Sequence, residues 1–98
     1  MNYKIVQIKW TDSYRMQDGW LYKEDFPEIV DDICYSIGYV VDETDKHIVI
    51  SPHISNATEE EKYRKFDGTM VIPKCSIMEI ININFINDKN NNYEIEID

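Results

Sequence analysis

Apolar and polar positions along the chain predict five or six short strands and one helix. From Tyr3 to Trp10, the residues Val6, Ile8 and Trp10 alternate with Gln7 and Lys9, the period of two that marks a strand. Tyr3 and Ile5 add apolar bulk to its second face. Thr11-Asp12-Ser13 interrupts the pattern, Gly19 marks a turn, and Trp20-Leu21-Tyr22 fits a short extended piece. Between Phe26 and Ser36 the apolar positions are Phe26, Ile29, Val30, Ile33 and Cys34, with Ile37 just beyond. That spacing predicts one face of a helix. Asp25 suits its N-cap, Pro27 its first turn and Gly38 its C-terminal stop.

Tyr39-Val40-Val41 and Ile48-Val49-Ile50, joined by a polar link, predict a β-hairpin that Ser51-Pro52 ends. Residues 53–67 are a polar excursion. Thr58-Glu59-Glu60-Glu61 has capping-box spacing, and Glu60/Arg64 and Glu61/Lys65 stand four apart, which predicts a turn or two of helix. Gly68 to Pro73 and Ser76 to Ile81 predict two further strands around a corner at Pro73-Lys74. Tyr93 to Ile97 alternates strictly and reads as an edge strand or as a frayed tail. The order strand, helix, four strands implies an α+β fold. A small curled antiparallel sheet, or an SH3-like or Sm-like barrel of five to six strands, would carry one packed helix. The 98 residues suit a single domain over 1–86, followed by a polar tail or edge strand over 87–98.

Charge narrows the partners. Nineteen acidic against ten basic residues give a net charge of -9, which disfavours general nucleic-acid binding, because such affinity rests on neutralising phosphates. The same field steers encounter with a basic protein surface. No run is long and apolar enough for a membrane span, and Met1-Asn2-Tyr3-Lys4-Ile5 lacks the apolar stretch of a signal peptide. Cys34 and Cys75 are isolated and belong to no CxxC pair, so they read as reduced, buried thiols of a cytoplasmic protein.

Candidate chemistry is sparse. No serine sits in a GxSxG elbow, and no GxGxxG or phosphate-binding loop is present. His47 and His53 offer a hydrolase base or metal ligands, but without an HExxH or CxxC companion the expectation is no metal, no cofactor and no catalysis. The distinctive feature is aromatic. Trp10, Tyr14 and Trp20 flank Asp12, Ser13, Arg15 and Gly19. Three readings stay open: core packing, a protein hot spot, or a pocket for a planar ligand such as a small nucleotide.

Several strings carry a resemblance: Ile8-Lys9-Trp10-Thr11-Asp12-Ser13, Gly19-Trp20, Ser36 to Thr44, Ile48-Val49-Ile50-Ser51 and Gly68 to Cys75. Together they resemble small proteins of phages and prophages of low-GC Gram-positive bacteria. The resemblance implies a phage accessory protein in the host cytoplasm, of the kind that counteracts host defence. The expectation is therefore a non-enzymatic module that engages a host protein with a basic surface or sequesters a small signalling nucleotide. Its contact residues would be Trp10, Asp12, Ser13, Tyr14, Arg15 and Trp20, and a homo-oligomer is compatible with the pattern. The alternatives are an Sm-like RNA-binding ring and a small hydrolase using His47 or His53.

Overall fold

The computed structural model describes residues 3–87 and 93–97. The predicted α+β fold is overturned. The described chain is built of antiparallel strands, and its only helical pieces are single 3-10 turns at Lys23–Asp25, Glu61–Tyr63 and Lys74–Ser76. The strands are β1 (Ile5–Asp12), β2 (Asp32–Glu43), β3 (His47–Ser51), β4 (His53–Ser55), β5 (Lys65–Asp67), β6 (Met70–Pro73), β7 (Ile77–Asn87) and β8 (Tyr93–Ile97). Six form one sheet in the order β6-β3-β2-β1-β7-β8, while β4 and β5 pair separately as a small hairpin. The sheet is not closed, so the predicted barrel is absent as well.

The predicted helix is where the expectation failed. Residues 26–31 are irregular, and Asp32–Glu43 is the longest strand among the described residues. Ile33, Tyr35, Ile37 and Tyr39 alternate with Cys34, Ser36, Gly38 and Val40, a strand period that the helical spacing of Phe26, Ile29, Val30 and Ile33 masked. Both faces of β2 are short of charge, so alternation in polarity is weak. Gly38 is no helix stop. It lies inside β2 opposite Val6, where a Cβ would stand 3.1–3.2 Å from the backbone of Ser51. The sheet bends so closely there that only a missing side chain admits the approach. The short helix expected within 53–67 is likewise replaced by β4, a 3-10 turn and β5.

Register assigns the faces, because paired residues point to one side. Val6, Ile8 and Trp10 share the inner side with Gly38, Ser36 and Cys34 of β2. Across β3 and β6 that side continues through Ile50 and Ile48 to Met70 and Ile72. Val6, Ile8, Ile48, Ile50 and Ile72 are the buried core, with Trp10, Val40 and Ile77 packed against it. Each fully buried aliphatic contributes roughly 1.5–3 kcal/mol, so this core is small for its chain. The sheet curls over its inner side, as the 3.9 Å contact from the Ser36 hydroxyl to Met70 Sδ records.

The outer side is the anomaly. Ile5, Gln7 and Lys9 stand there beside Tyr39, Ile37 and Tyr35 of β2 and beside Ile83, Ile81 and Glu79 of β7. The apolar row runs on along the β7–β8 arm, where Ile97 faces Ile83 and Ile95 faces Phe85. Antiparallel sheets with one buried face normally turn a polar face to water. Here the second face is apolar too, and Ile33, Tyr35, Ile37, Phe85, Ile95 and Ile97 are each 43–63% exposed. The arm extends past the end of β1, whose pairing with β7 stops at Ile5–Ile83. The Cα radius of gyration is 18.2 Å, against roughly 13 Å for a compact chain of this length. Among the described residues, no helix is long and apolar enough to cross a membrane.

Candidate functional site

Between β1 and β2 the chain makes a long excursion over residues 13–31 that contains one 3-10 turn and no strand. Long irregular connections in small domains are commonly where a partner binds. Its base is set by the β1–β2 ladder, which ends on the pair Asp12–Asp32. At the entrance the Ser13 N–H donates to Asp12 Oδ1 at 2.8 Å. Farther along, the Val30 N–H donates to the Tyr14 hydroxyl at 3.1 Å and ties the two legs of the excursion together. Arg15 pairs with Asp18 at 3.1 Å, but both side chains are at least 80% exposed, so the pair adds little stability.

The six residues singled out from the sequence do not form one site. Trp10 is half-buried on the inner face, where its Nε1–H donates to the Ser36 hydroxyl at 3.0 Å, and it packs on the core. Asp12, Ser13, Tyr14 and Arg15 are exposed at the mouth of the excursion. Trp20 stands wholly in water, at 101% relative exposure, with Tyr22 at 79%. The sequence missed its companions. Phe26, Ile29 and Val30, assigned to the buried face of a helix, are in solvent at 46–79%. The sequence carried no signal against burial, because these residues fall on one helical face with Glu28, Asp31 and Asp32 opposite.

The excursion is also acidic. From Asp12 to Asp32 it holds seven carboxylates against Arg15 and Lys23. At its base, ligand atoms of Asp12, Asp32 and Cys34 lie within 4.8 Å of one another. The strand pairing brings them together across twenty positions of sequence, so no local motif announces them. Partial burial, followed by the carboxylates of Asp32 and Asp12, pushes the Cys34 thiol above its ordinary range and holds it protonated at neutral pH. His47 on β3 and His53 on β4 are both exposed.

The concavities are shallow. One lies on the inner face between Val6, Val40, Ile48, Ile77 and Ile80, with Lys4 and the Lys74–Glu43 pair at its rim. Another is a notch formed by Trp20, Leu21 and Tyr22. No family model, no curated protein and no solved structure matches this chain.

Proposed function

We propose that this chain is a non-enzymatic binding module of phage type. It acts in the host cytoplasm and grips a host protein through the 13–31 excursion, in the manner of a factor that counteracts host defence. The single observation that carries the reading is the solvation of Trp20, Tyr22, Phe26, Ile29 and Val30 together on one loop. Five large apolar side chains left in solvent on one connection are costly in a monomer and are the kind of residue that contact surfaces use. Trp and Tyr are the side chains that most often dominate binding energy once desolvated. The seven carboxylates around them supply a rim that complements a basic partner and speeds encounter. A protein surface suits this loop better than a nucleotide does. A phosphate would meet Asp18, Glu24, Asp25 and Glu28, and the notch beside Trp20 is open rather than enclosed. The Sm-like alternative rested on a closed barrel, and that support is gone with the open sheet.

The test is capture from host lysate by the immobilised chain, compared with the Trp20→Ala, Tyr22→Ala double variant. The reading expects a discrete set of basic host proteins, lost in the double variant and released as salt rises. If the double variant retains the same proteins, the loop is not the contact.

A further inference from the structure

The apolar outer face is remote from the acidic excursion in character. It forms a diagonal band from Ile33, Tyr35 and Ile37 on β2, across Ile5 and Ile81, to Phe85, Ile95 and Ile97 on the arm. Six of these side chains are roughly half exposed, on the order of 600 Å² together, and a stable interface takes about 800 Å² from each partner. The half-buried Ile5, Tyr39, Ile81 and Ile83 between them supply the remainder. A two-stranded arm such as β7–β8 is itself marginal in water unless its apolar face is covered.

The geometry points to a second copy of this chain as the cover, stacked outer face to outer face about a two-fold axis. Three features favour self-association of that kind. First, the band has bulky aliphatic and aromatic residues at both ends. A two-fold through its middle, near Gln7, lays the arm of each copy over β2 of the other, as an isologous contact requires. Second, the band is kept clear of acid. In a chain with nineteen carboxylates, the only one that the pairing of β1 with β2 and β7, and of β7 with β8, turns to this side among the described residues is Glu79, paired across strands with Lys9. Lys9 itself lies over the Tyr35 ring, 6.0 Å from its centre. Two copies therefore meet without opposed carboxylates. Third, the sheet edges are poor alternatives. Self-pairing of β8 about Ile95 sets Glu94 opposite Glu96 of the second copy, a like-charge pair. The other edge, β6, has only four residues and ends on Pro73, which has no N–H to donate. Faces can associate where edges cannot, and two twisted sheets stack with strands crossing at roughly 30°.

Sedimentation equilibrium on the full chain tests this. The wild-type chain is expected at twice the monomer mass, with association strengthened by added salt, because two chains of charge -9 repel each other. Ile37→Glu with Phe85→Glu should weaken the dimer roughly a hundredfold or more, since it buries carboxylates at both ends of the band. The milder pair Ile37→Thr with Ile95→Thr keeps strand preference and should weaken it in the same direction. Trp20→Ala should leave the mass unchanged. A wild-type chain that is monomeric at every concentration overturns the proposal and leaves the band to some other partner. So does a Glu variant that keeps its β-sheet circular dichroism and still dimerises as the wild type does. Retention of the same host proteins by the Trp20→Ala, Tyr22→Ala double variant bears on the loop alone, so the two readings fail separately.

Discussion

Gly38 shows how one missing methyl sets the curvature of the sheet. A Cβ at this position would meet three backbone atoms of Ser51 at 3.1–3.2 Å, and a backbone in a ladder yields less readily than a side chain. Gly38→Ala is expected to destabilise the fold by about 1–3 kcal/mol, read as a lowered urea midpoint with an unchanged slope. Cys34 makes a chemical counterpart. Its thiol is held protonated by partial burial and by the carboxylates of Asp32 and Asp12, while Cys75 is exposed. Alkylation at neutral pH is therefore expected to be faster at Cys75 than at Cys34, because only the thiolate reacts. Asp32→Asn removes one raising charge, lowers the thiol's titration point and should speed modification of Cys34. An unchanged rate in that variant would contradict the assignment. Neither effect was visible in the order of residues, since each depends on what a strand partner places nearby.

Among the secondary-structure elements, the β4–β5 hairpin hangs on Ser51. Its hydroxyl is fully buried and lies 3.0 Å from the carbonyl of His53 and 2.9 Å from that of Asp67, residues paired across the hairpin. One hydrogen is shared between two acceptors, and the Thr69 hydroxyl donates to Ser51 in turn at 3.3 Å. Ser51→Ala removes the donor to two partly buried carbonyls and is expected to cost about 1–3 kcal/mol. The loss should appear first as faster amide exchange over residues 53–67 rather than across the main sheet. Legibility differed sharply among elements. The β1 face of Val6, Ile8 and Trp10 was plain from alternation, and so were the β2–β3 hairpin and the corner at Pro73-Lys74. The helix over 26–36 was misread because apolar residues on an exposed loop happened to fall at helical spacing before a strand apolar on both sides. Periodicity reports where apolar residues lie, and it does not report whether anything covers them. The polar run 88–92 lies outside the described residues.

For the molecule as a unit, the two apolar surfaces answer to salt in opposite senses. Capture of a basic host protein by the acidic excursion should weaken as ionic strength rises, through screening of seven carboxylates. Self-association through the outer band should strengthen, because screening removes repulsion and leaves apolar contact. Measuring both on the same preparation separates them. Parallel weakening of both would mean that charge, not apolar area, holds the band together. The small core and the large radius of gyration agree with a chain whose burial is left unfinished by its own fold.

Composition and spacing alone settled the acidic balance, the isolated thiols and most of the strand positions. These follow from covalent chemistry and from periods of two along the chain. Strand order, the tight approach at Gly38, the meeting of Asp12, Asp32 and Cys34, and the uncovered outer face followed only from folding. Each arises from pairing between segments distant in sequence, and the energy of such pairing depends on neighbours that no local pattern names.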